Sequence, residues 1–511
     1  MGLLGILLGL GLLLFLAFRG WSILLLAPIA ALVAAAFSGE PLLAHWTQTF
    51  MTNAATFVAQ FFPLFLLGAL FGKLMDDSGS VTVIADTMTE KLGEKRAILA
   101  VVLAGAIVTY GGVSLFVAFF VLAPMAIALF RSAGIPRRLM PAAIALGTST
   151  FTMSALPGTP AIQNAIPMPF FGTTPFAAPG LGVIASLIML GFGMWWLMRA
   201  ERVARAKGEG FGDETPLDAG VADDQFIRER ATASHEFDTA EISHGAHSTT
   251  RPSFIRERAT ASHEFDTAEI SHGAHSTTRP SFLVAATPLV VVVLVNLLMS
   301  MVILPRLDVS FLGEERWGST TLSAVGGVWA VATALTAAIL VLLAFNFRRL
   351  PDLRATMDAG ANASVLPAFS VASLVGFGAV VAAMPAFELV RTWVLGIQGG
   401  PLVSLAIATN ILAALTGSAS GGLTIALDAL GASYMKLAAE TGLDPALMHR
   451  VAVIGAGTLD SLPHNGAVVT LLAVCGSTHA KSYFDIVMVA VVGAILALVA
   501  VIVLGSAVGS F

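Results

Sequence analysis

The chain has 511 residues, of which 56% are hydrophobic and 12% charged, with a formal net charge of -5 and a mean hydropathy of +0.85. That is too apolar for a soluble domain, and the length suffices for about ten membrane spans of roughly 20 residues each. The slightly acidic balance offers no basic face to nucleic acid, and the one cysteine, Cys475, excludes an intrachain disulfide and fits no zinc or redox spacing.

In chain order, the first apolar run, residues 2 to 18, lacks a basic start and a small-residue cleavage site and reads as a retained span. Further spans are predicted at 22 to 37, 54 to 72 and 180 to 198, then at 282 to 304, 320 to 345, 363 to 384 and 485 to 509. The run from 97 to 130 is too long for one span and has basic flanks on both sides, Lys91, Lys95 and Arg96 before it and Arg131, Arg137 and Arg138 after it. If basic loops are cytoplasmic, it enters and leaves on one side, as a re-entrant hairpin turning at Thr109 to Gly112. Residues 405 to 430 form a matching segment with a glycine-rich middle, and each hairpin is followed by an interrupted span, 139 to 176 and 450 to 475.

The two halves also match in their letters. "YGGVS" at the first tip (Gly111, Gly112) aligns with "SGGLT" at the second (Gly421, Gly422), and "TMSALPGTPAI" aligns with "TLDSLPHNGAV" at the breaks. The first hairpin glycine precedes the break proline by 46 residues in one half (Gly111 to Pro157) and by 42 in the other (Gly421 to Pro463). The fold class expected is therefore an all-α polytopic membrane protein of two repeats, each with three spans, a hairpin, a broken helix and a final span. Five crossings per half make the second repeat inverted. The domains are 1 to 199, a linker 200 to 281, and 282 to 511.

Charge supports one orientation. With both termini outside, twelve Lys and Arg fall in short inner loops, whereas the outer loops hold five: Arg306, Arg316, Arg391, Lys436 and Arg450. The linker contains a perfect tandem duplication, residues 226 to 253 and 254 to 281, and six of the ten histidines. Its polar composition predicts a cytoplasmic linker without a packed core. The histidines lack a rigid ligand spacing, so no metal site is assigned, and two copies are too few for a solenoid.

A helix broken at membrane depth is stable only where protein or a watery cavity satisfies its backbone. Paired interruptions in inverted halves point to a transporter's binding site, and the half-helix N-termini suit an anion. The candidate substrate contacts are Ser114, Thr152, Ser154, Thr159, Gln163 and Asn164 in the first half, and Ser420, Thr424, Ser461 and Asn465 in the second. Each serine or threonine could equally bond its own helix, and the glycine pairs could mark close helix packing instead of turns. Asp428, Asp460 and His464 are ionisable residues inside apolar segments and hence candidates for proton coupling. Glu388 and Arg391, three apart, read as an interfacial ion pair.

The hairpin glycines with "SALPGTPAIQNAIP" and "LDSLPHNGAVVTLL" resemble the gluconate permease family of the ion transporter superfamily, over both halves but not the linker. The resemblance implies proton-coupled import of small hydroxy acids such as gluconate or 3-hydroxybutyrate, and an elevator-like movement against a dimeric scaffold. It also implies an inner-membrane location among lipid, and no cofactor beyond the coupling ion. Sugar-acid members tend to carry a histidine-proline pattern at a break. The first break here, "LPGTP", has none, which tilts the reading toward the shorter acid. Sodium coupling and antiport stay open alternatives. An intramembrane hydrolase is disfavoured because no nucleophile-elbow pattern surrounds Ser461, and an ATP-driven pump because there is no Walker loop.

Overall fold

An uncharged apolar run of sixteen residues satisfies its backbone in lipid by becoming helical, and the first two runs do so as α1 (Gly2–Ala17) and α2 (Ile23–Ser38) in a computed structural model of the chain. Residues 2–17, 22–93, 96–113, 115–212, 279–350, 352–416, 418–463 and 465–511 are described. α1 lies close on α2 because Gly5 and Gly9 face Ala34 and Ala30; a Cβ at Gly9 would come within 2.6 Å of the Ala30 carbonyl oxygen.

The first half continues with α3 (Leu42–Asp77), the amphipathic α4 (Ser80–Leu92), the hairpin α5 (Ala97–Tyr110) and α6 (Leu115–Ser132), and the short helices α7 (Met140–Thr148), α8 (Phe151–Ser154), α9 (Ile162–Ala165) and α10 (Pro167–Phe171). It closes with α11 (Pro179–Ala206). The second half has α12 (Phe282–Arg306), α13 (Leu322–Arg349), α14 (Leu353–Ala383), the short α15 (Phe387–Leu395), and the hairpin α16 (Pro401–Thr416) and α17 (Ala419–Thr441). α18 (Pro445–Thr458), α19 (Gly466–Val474) and α20 (His479–Val508) complete it. Every element is helical among the described residues, and six of them (α3, α11, α12, α13, α14 and α20) are long and apolar enough to cross a membrane.

Two groups of helices emerge from the packing. α3 crosses α14, and α2 and α13 flank that crossing, with α1 on α2 and α12 on α13. The crossing is close because a Cβ at Gly360 would meet the Leu70 Cα at 3.0 Å. At its end the buried Asp77 carboxylate accepts from Lys73 Nζ at 2.8 Å and from Thr356 Oγ1 at 2.7 Å. In the other group α5 packs on α6 and α7, α16 packs on α17 and α18, and α11 packs on α20.

Several boundaries differ from the sequence expectation. α11 runs to Ala206, seven residues into the expected linker, because its last turns carry Glu201 and Arg205 as an i,i+4 pair at 2.8 Å and Arg205 Nη2 also donates to the Ala133 carbonyl at 2.8 Å. The duplicated part of the linker lies outside the described residues, apart from its last three. The span predicted to end at 72 runs on, so that Lys73 belongs to α3. Arg391 does pair with Glu388, at 2.8 Å.

Candidate functional site

Both expected interruptions are present. After α7 and the single turn α8 the chain cannot remain helical, because Pro157 and Pro160 lack the amide hydrogen and Gly158 adopts φ +79. The bared backbone finds partners within the protein. The Tyr110 hydroxyl, from the end of α5, donates to the Pro157 carbonyl at 2.7 Å, and Asn296 of α12 donates to that of Gly158 at 2.9 Å. The Gly158 amide reaches the Pro175 carbonyl at 2.9 Å.

The second interruption separates α18 from α19. Asn465 caps α19: its Oδ1 accepts from the Ala467 and Val468 amides at 2.7 and 3.3 Å, while its Nδ2 donates to Asp460 Oδ1 at 2.8 Å. The Ser461 carbonyl accepts from the Tyr483 hydroxyl at 3.1 Å. Asp460 also faces the Ala419 amide at the start of α17, so the second hairpin and the second break meet there.

A cavity of about 40 Å³ lies between the two breaks. Ser149, Ser154 and Gln163 of the first break face Asp460, Ser461 and Asn465 of the second, with Leu115 of α6 and Ala419 of α17 contributing from the hairpins. Gln163 Oε1 is buried without a hydrogen-bond partner, a polar atom at the cavity that a ligand donor could satisfy.

The other sequence candidates divide clearly. Thr152 bonds the Gly147 and Thr148 carbonyls of its own turn, Thr424 bonds the Ser420 carbonyl, and Ser420 Oγ lies 3.2 Å from Ser418 Oγ. Thr159 accepts from the Ala161 amide at 3.3 Å, a turn contact. None of these four, nor Asp428, lines the cavity. Ser114 and His464 lie outside the described residues.

The glycine pairs also divide. Gly111 and Gly112 do form the first turn, Gly112 at φ +98. Gly421 and Gly422, expected at the second tip, instead occupy the first turn of α17, where Ser418 Oγ caps the Gly421 amide at 3.1 Å. They must be small because a Cβ on Gly421 would strike Leu374 and one on Gly422 would overlap the Ala413 backbone.

Arg450 is the largest correction. The sequence reading put it in an outer loop. It lies in α18, fully buried. Its Nε and Nη2 donate to the Ala177 carbonyl at 3.2 and 2.7 Å, and its Nη1 donates to the Ser154 carbonyl at 3.1 Å and to Asn164 Oδ1 at 3.4 Å. No carboxylate pairs with it among the described residues.

Beside it His449 is equally buried. Asn164 Nδ2 donates to the Thr159 and Pro175 carbonyls, both at 3.0 Å, which turns Oδ1 toward His449 Nε2 at 3.1 Å. Nε2 must therefore carry the proton, leaving Nδ1 to accept from Thr173 Oγ1 at 2.6 Å. Asn164 is thus a joint between the halves behind the cavity, not part of its wall.

At the opposite end of α7, Arg138 bridges Glu209 and Asp485, both at 2.7 Å, and the Glu209 hydrogen bond holds its guanidinium above the usual arginine range.

Among the described residues the protein is all-helical, with membrane-length helices, two interrupted helices and a cavity between the interruptions, the architecture of a multi-pass membrane protein. A model of the family described as "GntP family permease" matches residues 1–170. A Bacillus subtilis (strain 168) protein described as "Uncharacterized transporter YxjC" is 38% identical over 510 residues, covering 98% of each chain. The "High-affinity gluconate transporter" of Escherichia coli (strain K12) is 38% identical over 104 residues, 20% of this chain and 23% of that one. An "Uncharacterized transporter" of Haemophilus influenzae (strain ATCC 51907 / DSM 11121 / KW20 / Rd) is 37% identical over 103 residues, 20% of this chain and 24% of that one. The chain belongs to the GntP permease family.

Proposed function

We propose that this permease imports a small hydroxycarboxylate, gluconate or more closely 3-hydroxybutyrate, together with a proton, by moving its cavity relative to a fixed scaffold. The observation that carries this reading is the cavity itself, walled by both breaks and touched by both hairpins. The name of the Escherichia coli relative supports a carboxylate cargo. At about 40 Å³ the cavity has room for a few waters, each needing about 10–15 Å³ of it. Either acid therefore enters only when the lining parts, and the four-carbon acid demands less.

The packing supports two inverted repeats, 1–199 and 282–511. α5 packs on α6 and α7 as α16 packs on α17 and α18, and α2 meets α14 as α13 meets α3. In this reading α1 to α3 and α12 to α14 form the scaffold, which pairs with a second copy, and the hairpins and broken helices move. Arg450 is buried in α18 and drops out of the outer set, and the excess of Lys and Arg on the inner side supports both termini outside and the linker in the cytoplasm.

Reconstituted vesicles test this. Labelled 3-hydroxybutyrate and gluconate are offered under an imposed proton gradient and under an imposed sodium gradient. Accumulation with protons alone is expected. Accumulation with sodium alone would replace the coupling ion, and exclusion of both acids would refute the cargo.

A further inference from the structure

We propose that Arg450 is the fixed positive charge of the transport site and Asp460 the group that takes the coupled proton, so that the site is uncharged both when empty and when it carries one monoanion with one proton. This rests on the proton-coupled carboxylate reading and assigns its charges.

The guanidinium is fully buried, and its acceptors are all neutral: the carbonyls of Ala177 and Ser154 and the amide oxygen of Asn164. These dipoles solvate the charge without cancelling it. Ser154 links it to the cavity, since its carbonyl holds Arg450 while the residue itself lines the wall. Asp460 stands on the opposite wall. Its partners among the described residues are neutral too, the Asn465 amide and the Ala419 N–H.

Ten residues along α18 and its terminal turn correspond to about 15 Å, too far for an ion pair. Asp460 is thus left to exchange a proton with water while Arg450 stays charged. Both ride on one segment, so whatever carries the cavity past the apolar barrier carries both charges with it.

The charges then dictate the coupling. An empty site holds arginine and an ionised aspartate and is neutral. Adding a monoanion alone makes it -1, a net charge that the membrane core penalises. Adding a proton, which converts the Asp460 carboxylate to the acid, restores neutrality. Anion and proton therefore cross together, and both are released on the cytoplasmic side. Among the described residues Asp460 is the only titratable group on the cavity wall. The groups beside Arg450 are Tyr110 and His449. His464 lies outside the described residues.

The test uses the full chain in vesicles with labelled 3-hydroxybutyrate and gluconate. Net uptake driven by a proton gradient is compared with exchange against preloaded unlabelled acid at equal pH. In Asp460→Asn the empty site is +1 and the loaded site neutral. Net uptake should fall by about tenfold or more, because the empty return is penalised, while exchange persists at a reduced rate and loses its pH dependence. Arg450→Lys keeps the charge and should keep exchange, whereas Arg450→Gln should lose it. In the wild type, an imposed membrane potential should leave uptake unchanged.

Equal loss of exchange and net uptake in Asp460→Asn, or an exchange that keeps the wild-type pH dependence, would overturn the assignment. So would Arg450→Gln exchanging at the wild-type rate. Wild-type vesicles separate the two possible failures. Absence of proton-driven uptake there refutes the proposed function itself, whereas proton-driven uptake that Asp460→Asn leaves untouched refutes the charge assignment alone.

Discussion

Replacing Asn164 by leucine, which is close to it in size, should destabilise the protein by removing the joint between the two breaks. Four contacts disappear: those to the Thr159 and Pro175 carbonyls, each at 3.0 Å, the one from His449 Nε2 at 3.1 Å, and a longer one from Arg450 at 3.4 Å. Not all of the partners are orphaned. Pro175 still accepts from the Gly158 amide and the Arg450 guanidinium still reaches Ser154 and Ala177. His449 Nε2 and the Thr159 carbonyl lose their only partners among the described residues. Two buried polar groups left unpaired cost about 1–3 kcal/mol each, so the loss should be about 2–6 kcal/mol, because leucine leaves no room for a compensating water. Thermal unfolding of the purified protein in detergent measures this. Thr336→Val on the exposed face of α13, where the hydroxyl bonds only its own helix at Ala332, is the control. A leucine variant that melts with the wild type and transports normally would refute the claim that this polar joint holds the first break in place.

Gly422→Ala should abolish uptake, because the added methyl would overlap the Ala413 backbone and force the second hairpin apart, whereas Gly68→Ala, with open space around it, should be silent in the same assay. Gln163→Leu should raise the apparent KM by roughly tenfold, the scale of one hydrogen bond that substrate would make to the unpartnered Oε1; an unchanged KM would remove Gln163 from the site. Arg138→Gln should lower stability by about 1–3 kcal/mol by leaving Asp485 with Trp196 alone. Because the arginine is held above its ordinary range, its contribution is complete below that range and lost only as pH rises through the higher folded value. The deficit should therefore be constant from roughly pH 7 to 9, where the carboxylate partners are ionised, and a deficit that changed across that range would contradict this.

What could be read from the sequence was whatever has a local cause. The breaks were visible as letters because proline stands beside glycine or other helix-disfavouring residues there, at Pro157 with Gly158 and around Pro463, whereas Pro28, Pro63, Pro124, Pro288 and Pro367 stand alone and lie inside helices. The basic residues around 97 to 130 marked the first hairpin in the same local way. The glycine pairs show the limit of that reading. The same dipeptide turns the chain at Gly111 and Gly112 but packs a helix at Gly421 and Gly422, because Ser418 caps α17 and moves the second turn upstream. Arg450 was illegible for a different reason. It follows a helix start by five residues and looks like an interfacial arginine, and its burial is created by carbonyls 273 and 296 residues away in sequence. Similarly, nothing local distinguishes Ser154 and Ser461, which line the cavity, from Thr152 and Thr424, which do not; the Ser154 hydroxyl even bonds the Thr150 carbonyl of its own turn as theirs bond their own helices. That distinction arises only when the breaks meet.

The most direct measurement is substrate protection at the cavity wall. Cys475 is the chain's one cysteine and is buried, so Cys475→Ala provides a background in which Ser461→Cys is the single thiol. A small methanethiosulfonate reagent should modify that thiol in vesicles, and 3-hydroxybutyrate or gluconate, whichever is carried, should slow the modification while leaving a Thr336→Cys control unaffected. Modification of Ser461→Cys at the same rate with and without the transported acid would show that the anion does not occupy the space between the two breaks.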